Sequence, residues 1–500
     1  MKPFFILLLL CPVILIAQHS TAGDKTNQDS IHIKLNLING FSASVNISTP
    51  ISGSFFVGKW AKLKTDNKGK LDVTLSLDSA GFCQIWLNYL PWIGRSNCIQ
   101  FFAQPGDQID ITLEKNREFE SLMFKGDHVA ENELLSALKR YTVDYWGDSK
   151  FLQSLMHGKD AVALFDTLQI MEKEELEIIL AYEKKHALKK QFLSILREDI
   201  RYYHAQLFFI AWNVNNLTLD EETDISIVRQ WNEQLENVFT NTEIDNSTAL
   251  GSYRYNEYKN ATWPMYFEDA LTTIRNCDPD KKDSLVYELV STYFTGKVKE
   301  QHLAYTIKSN GIKNKFSASV QDQFIRFRSD YPDSPFLPEL EVEFAEIVKF
   351  QDLNTSLPSV FESEEFADLN ELTKKYPNKL LYLDIWASWC GPCKEEFENQ
   401  SSELNQFFQE SGIQRIYISI DDPTKIEDCA KIIRFYSLEG DHYMVNKQLL
   451  ESMQSELNNG KSFAIPRYLV IDPSGQILER DAYRPSFEKS LIDQLKQHLK

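Results

Sequence analysis

Two cysteines in the last quarter of the chain stand at a spacing that suits thiol-disulfide exchange. Cys390 and Cys393 enclose Gly391 and Pro392, and they lie between an apolar segment ending at Trp386 and a segment with helical periodicity. Because a thiolate rather than a thiol attacks a disulfide, the attacking cysteine must be exposed and have a lowered pKa. The first turn of a helix offers unpaired backbone N–H groups and the positive end of the helix dipole, which stabilise a thiolate. We therefore predict that Cys390 is the attacking residue.

Cys393 lies three residues further on, on the same side of the predicted helix. Its sulfur is placed to attack the mixed disulfide that Cys390 forms with a substrate, and this releases the reduced product. Pro392 suits the first helical turn, where no N–H partner is needed. We predict a redox-active disulfide between the two cysteines and no further cofactor, since the sequence contains no Gly-rich phosphate loop or dinucleotide fingerprint.

The surrounding sequence resembles the active-site stretch of thioredoxins. Residues 383–394 read Leu-Asp-Ile-Trp-Ala-Ser-Trp-Cys-Gly-Pro-Cys-Lys. Further on, Ala464-Ile465-Pro466-Arg467 precedes a strand, where thioredoxin-like proteins carry a cis-proline whose preceding backbone binds an extended substrate. The resemblance implies that five residues contact the substrate: Trp389, Gly391, Pro392, Ile465 and Pro466.

Two carboxylates are implied by the same resemblance as proton carriers. Asp384, on the apolar strand, matches the buried aspartate of thioredoxins that takes the proton of the second cysteine. Glu396, one helical turn after Cys393, matches an acid-base glutamate of ResA-like proteins. Those relatives carry proline two residues after that glutamate, where this sequence has Glu398. A strand-end Asp384 that meets water and a solvated Glu396 are the alternatives.

Three stretches of different periodicity predict a multidomain protein. A chain of 500 residues exceeds the ~250 to 300 residues at which a single core stops growing. Residues 24–125 alternate polar and apolar side chains between turn signals, which predicts an all-β sandwich with antiparallel strands. Residues 126–352 have helical spacing and predict a central α-helical domain, whose aromatic residues we assign to its core. Residues 356–500 alternate strands and helices, and we predict a C-terminal α/β thioredoxin-like domain with a helical insertion.

The first 22 residues are typical of a signal peptide. Lys2 supplies the positive charge, the run from Phe4 to Ala17 is apolar, and Ser20-Thr21-Ala22 offers small residues for cleavage. The run falls short of the ~20 residues that span a bilayer, with an uncleaved anchor as the alternative. We therefore predict an exported, periplasmic protein with no stable membrane insertion after cleavage.

The signal segment and the helical insertion make the last part of the chain similar to TlpA-like and ResA-like exported reductases. The order of sandwich, helices and thioredoxin-like domain is similar to large exported proteins of Bacteroidetes-type bacteria. This resemblance implies that protein disulfides are the substrates and that a membrane partner donates electrons. A disulfide oxidase or isomerase, and a ligand-binding scaffold protein with an accessory thioredoxin domain, remain as alternatives.

Charge and histidine spacing argue against other functional classes. With 72 acidic and 53 basic residues the net charge is −19, which repels nucleic acids. The nine histidines show no H-x-x-x-H pattern, and zinc at the cysteine pair lacks two further ligands, so we predict no metal site.

Four further cysteines remain after cleavage of the predicted signal peptide. Cys83 and Cys98 both fall in the sandwich, and a disulfide between them stays open because bridging needs Cα atoms within ~7 Å. Cys277 and Cys429 lie in helical stretches without an evident partner. We expect none of the four to take part in turnover.

Overall fold

A computed structural model describes residues 29–38, 43–56, 59–87, 98–115, 119–138, 160–217, 225–278, 281–313, 318–351, 353 and 360–499. The predicted signal peptide and most of the segment that joins the helical and C-terminal regions lie outside the described residues. The helices of the described ranges include none that is both long and apolar enough to cross a membrane. The domain boundaries given above stay predictions.

The N-terminal described residues form two four-stranded sheets. Their strands are β1 Ser30–Ile38, β2 Ser44–Ser48, β3 Ala61–Lys64, β4 Lys70–Ser76, β5 Gly81–Leu87, β6 Cys98–Ala103, β7 Gln108–Lys115 and β8 Phe119–Gly126. The orders are β4-β1-β7-β8 and β3-β2-β5-β6. The ladder between β1 and β7 is parallel, so the prediction of antiparallel strands is wrong there. A parallel pair needs a long crossover, and the chain supplies it by forming β4 and all four strands of the other sheet between β1 and β7.

Apolar side chains of both sheets meet in one core. Ile33 of β1 and Ile85 of β5 are fully buried members of that core. The outer face of β5 and β6 is buried as well, because Phe82 and Phe102 pack against Phe192 of the helical region. Burial on both faces explains why these two strands lack a clear alternation of polar and apolar residues.

The two sandwich cysteines lie on opposite faces of their sheet. In the ladder between β5 and β6, Cys83 stands opposite Phe101, and Cys98 stands opposite Trp86. Cys83 and Phe101 face the core between the sheets, whereas Cys98 points to the opposite face of its sheet. Because neighbouring residues of a strand point to opposite faces, Cys83 and Cys98 do not bridge.

The central region is helical, as predicted. Its helices are α1 Val129–Ala137, α2 Ala161–Glu183, α3 Lys190–Leu217, α4 Ile225–Asn241, α5 Tyr253–Tyr266, α6 Glu268–Arg275, α7 Lys282–Tyr293, α8 Gly296–Lys313, α9 Ala318–Asp330 and α10 Leu337–Gln351. Tyr202 and Phe208 of α3 are fully buried in the apolar core of the helical region. Their burial confirms that they pack the core, and Phe208 also lines a pocket between α2, α3 and α4.

The C-terminal region is built around a five-stranded sheet with helices on both faces. Its elements are α11 Leu369–Lys374, β9 Leu381–Trp386, α12 Gly391–Glu398, α13 Ser402–Ser411, β10 Gln414–Ser419, α14 Ile426–Phe435, β11 Asp441–Met444, α15 Lys447–Asn458, β12 Arg467–Ile471, β13 Ile477–Glu479 and α16 Glu488–His498. The strand order is β11-β10-β9-β12-β13, with β9, β10 and β11 parallel and β12 antiparallel to β9.

Two details of this region differ from the sequence prediction. The spacing of residues 394–410 predicts a single helix, whereas the structure has two, because Ser401 caps α13 by accepting a hydrogen bond from the N–H of Leu404. The insertion expected to be helical also contains β11, which pairs with β10 at the edge of the sheet. A strand of four residues shows too few alternations to be recognised beside two strongly amphipathic helices.

Candidate active site

The end of β9 and the start of α12 position the cysteine pair. Cys390 is the N-cap residue of α12, and its Sγ accepts a hydrogen bond of 3.2 Å from the backbone N–H of Cys393. Pro392 occupies the first turn, as predicted. The two sulfurs are joined in a disulfide, with Cα atoms 5.3 Å apart. The spacing read from the sequence therefore places both sulfurs at the helix start.

The two cysteines and their neighbours differ in access to solvent. Cys390 is 4% exposed and Cys393 is fully buried. The expectation of an exposed attacking cysteine is therefore wrong for this oxidised state, in which Cys390 packs in the apolar cluster around the disulfide. Beside them, Trp389 is 63% exposed, and no atom lies within 4 Å of where a Cβ on Gly391 would project. The outer side of the disulfide therefore borders an exposed aromatic ring and open space. Cys390 is thus the more accessible residue of the pair.

The predicted cis-proline segment is also present in this domain. The peptide bond between Ile465 and Pro466 is cis, as the sequence resemblance implied. Ile465 packs against the apolar cluster that contains Cys390 and Cys393. The part that Trp389, Gly391, Pro392, Ile465 and Pro466 play in substrate contact stays a prediction.

Asp384 and Glu396 are both buried on the side of the sheet that carries α12. Asp384 is 2% exposed, and burial raises its pKa well above the usual value, with the carboxyl of Glu396 raising it further. Glu396 accepts hydrogen bonds of 2.9 Å from the backbone N–H and the hydroxyl of Ser486. Burial also raises the pKa of Glu396, against the effect of these bonds. The solvated alternatives for both carboxyls are therefore wrong.

The active-site cluster includes residues that the sequence did not point to. Asp421, just after β10, accepts hydrogen bonds from the backbone N–H and the hydroxyl of Ser388, two residues before Cys390. Cys429 of α14 is fully buried in the same apolar cluster as Cys390 and Cys393. An aspartate after an apolar strand was a usable signal for Asp421, whereas nothing local marked Cys429.

Described residues outside this domain also contact it near the site. Phe350, at the end of α10, is fully buried in the cluster that contains the cysteine pair, and its ring centroid lies 5.6 Å from that of Phe435. Lys62 of the edge strand β3 forms an ion pair of 3.2 Å with Glu398, the last residue of α12. The sandwich and the helical region thus both reach the elements that carry the active site.

Metal ligands are not grouped anywhere in the described ranges. No set of three or more histidine, cysteine, aspartate or glutamate side chains there is close enough to hold a metal ion.

The sheet order, the Cys-Gly-Pro-Cys helix start and the cis-proline segment give the C-terminal region a thioredoxin-like fold. Residues 354–491 match the Redoxin family model. This part of the chain is a redoxin domain.

Individual proteins are similar to parts of the chain. A segment of 28 residues is 46% identical to thioredoxin-1 of Caenorhabditis elegans, covering 6% of this chain and 24% of that protein. The chain thus spans about a quarter of the length of that relative. The thioredoxin domain of a thiol-disulfide oxidoreductase from Bacteroides vulgatus aligns with 18% identity and a TM-score of 0.22, over 25% of this chain and 84% of that one. A thiol-disulfide oxidoreductase from Bacteroides fragilis aligns with 25% identity and a TM-score of 0.20, over 25% and 85%.

Proposed function

We propose that the protein is an exported protein-disulfide reductase that acts by dithiol-disulfide exchange through Cys390 and Cys393. The observation that carries this proposal is the hydrogen bond from the N–H of Cys393 to the Sγ of Cys390 at the start of α12. A backbone donor aimed at a sulfur stabilises the thiolate, which is the attacking form.

In the proposed reaction the reduced protein transfers two electrons to the substrate. The thiolate of Cys390 attacks one sulfur of the substrate disulfide, so a mixed disulfide forms and the first substrate thiolate leaves. Cys393 then loses its proton and attacks the Sγ of Cys390, which releases the second substrate thiolate and leaves the Cys390–Cys393 disulfide. The two departing thiolates take up two protons.

Cys393 needs a base because it is fully buried and must attack as a thiolate. Asp384 supports this role because burial raises its pKa well above the usual value, toward the pH range where a carboxylate accepts a proton from a thiol. Glu396 lies close enough to raise that pKa further, and we assign it the part of a second proton carrier.

The oxidised pair must be reduced again after each turnover. A dithiol partner does this by the reverse exchange, and for an exported protein we propose a membrane protein as the donor. Export itself rests on the basic, apolar and small residues of positions 2–22.

The proposal is tested by reduction of insulin disulfides by the full-length protein with dithiothreitol as electron source, followed by equilibration of the cysteine pair with glutathione buffers. A reductase accelerates insulin reduction and has a reduction potential near the thioredoxin range of about −270 mV. A potential near about −120 mV would instead indicate an oxidase. Absence of any acceleration would favour the scaffold alternative.

A further inference from the structure

The buried carboxylate of Asp421 accepts hydrogen bonds from the turn that precedes Cys390. Asp421 is 4% exposed, and its Oδ2 accepts a hydrogen bond of 2.7 Å from the N–H of Ser388. Its Oδ1 accepts a second hydrogen bond, of 2.6 Å, from the Ser388 hydroxyl. Ser388 lies inside the turn closed by the N–H of Cys390 and the carbonyl of Ala387, which are 3.0 Å apart. Asp421 therefore holds both the backbone and the side chain of the residue at the centre of this turn.

The same carboxylate is anchored from the core side. Its Oδ2 also accepts hydrogen bonds from the Ser419 hydroxyl at 2.7 Å and from the Cys429 thiol at 3.3 Å. Burial raises the pKa of Cys429 to about 12, so the thiol keeps its hydrogen and remains a donor. All of these partners donate, and a carboxylate is the side chain that offers acceptors only. Asparagine at this position would turn an N–H₂ group toward donors.

We propose that Asp421 is a positioning residue for the exchange reaction, acting through Ser388 on the placement of Cys390. This inference rests on the proposed function, since it concerns the same cysteine pair. Cys390 receives the N–H of Cys393 at 3.2 Å, and that contact depends on the orientation of the turn before the helix. A small displacement of a reacting group can slow a reaction by about a hundredfold. Ser388 and Asp421 hold the sulfur where the donor and the second cysteine both reach it.

The test compares Asp421→Asn with Asp422→Asn in the full-length protein. Asp422 is the adjacent residue, is exposed, and caps its own turn through Thr424, a task that asparagine performs equally well. Both changes remove one negative charge. We expect Asp421→Asn to slow insulin reduction about tenfold, and Asp422→Asn to stay within about twofold of the wild type.

Ser388→Ala separates positioning from charge, because it removes one of the two hydrogen bonds to Ser388 and changes no charge. If Asp421 acts through Ser388, the double variant is no slower than Asp421→Asn alone. The pH midpoint of Cys390 labelling by iodoacetamide, read by mass spectrometry on the reduced protein, should rise in Ser388→Ala by about half a unit as the thiolate loses support.

Three results would overturn the inference. The first is that Asp421→Asn and Asp422→Asn reduce insulin at equal rates. The second is that the rate losses of Asp421→Asn and Ser388→Ala multiply in the double variant. The third is that the pH midpoint of Cys390 labelling is unchanged in Ser388→Ala. If Asp421→Asn does not fold, as judged by its thermal transition, the Ser388→Ala midpoint decides alone. Failure of the wild type to reduce insulin would contradict the proposed function. The labelling measurement needs no substrate, so it still tests the role of Asp421.

Discussion

The backbone N–H of Cys393 points at the sulfur of Cys390, at 3.2 Å. The two residues that form the disulfide are thus also donor and acceptor of one hydrogen bond at the start of α12. Since the bond favours negative charge on Cys390, it distinguishes the two sulfurs chemically before any substrate binds.

Cys390→Ser should abolish thiol exchange, because the sulfur that the helix start stabilises as a thiolate is removed. Cys393→Ser should instead accumulate a mixed disulfide with substrate, since the attack that resolves it is missing. Both outcomes are measured by non-reducing electrophoresis after incubation with oxidised insulin, with Cys277→Ser as control. The roles are reversed if alkylation of the reduced protein labels Cys393 well before Cys390.

The buried carboxyl of Asp384 should make stability depend on pH in a defined direction. Its pKa is higher in the folded protein than in the unfolded chain, where it is about 3.9. Between these two values the unfolded state loses its proton first, so the free energy of unfolding falls as pH rises. Asp384→Asn removes this effect, and its stability relative to the wild type should increase with pH above about 4, by up to about 1.4 kcal/mol per unit.

This prediction is checked by urea unfolding of both proteins at several pH values. Asp422→Asn is the control of opposite sign, because hydrogen bonds from Thr424 lower the pKa of Asp422, so the stability it contributes is lost as pH falls. A difference between Asp384→Asn and wild type that is constant over pH would show that Asp384 ionises normally. Asp384→Asn should also slow the resolution of mixed disulfides, if Asp384 is the base for Cys393.

Phe350→Ala should destabilise the redoxin domain although the residue belongs to α10 of the helical region. The side chain is fully buried, and truncation of a buried phenylalanine costs about 3 to 5 kcal/mol. Val342→Ala on the same helix is a matched control, since Val342 is 62% exposed. Both are compared by urea unfolding followed through fluorescence. Equal, small effects would mean that Phe350 contributes little to the cluster around the cysteine pair.

Four cysteines should remain reduced in the oxidised protein. Alkylation in denaturant without reductant should modify Cys83, Cys98, Cys277 and Cys429, and should leave Cys390 and Cys393 unmodified. Cys429→Ser, which keeps a donor for Asp421, should leave insulin reduction nearly unchanged. A tenfold loss in that variant at unchanged stability would require a third cysteine in the mechanism. Mass spectrometry of the peptides provides the readout.

The placement of the cysteine pair could be predicted from the sequence because its parts are local. A buried strand, a four-residue cysteine motif and a helix start follow one another within a dozen residues, and their spacing alone places Cys390 and Cys393 together. The cis-proline segment was found by resemblance, and the helical region by its long apolar periods. Burial of Asp384 was implied by the same resemblance, with a solvated strand-end aspartate as the alternative.

Other features depended on packing between distant parts of the chain. The sequence spacing could not decide whether Cys83 and Cys98 form a disulfide. Only the register of the two strands decides which face of the sheet each side chain takes. The parallel ladder of β1 and β7 needed a crossover that no local pattern reveals. Phe350 and Asp421 reach the active site only through the tertiary fold, since contacts between residues far apart in the sequence leave no periodic signal.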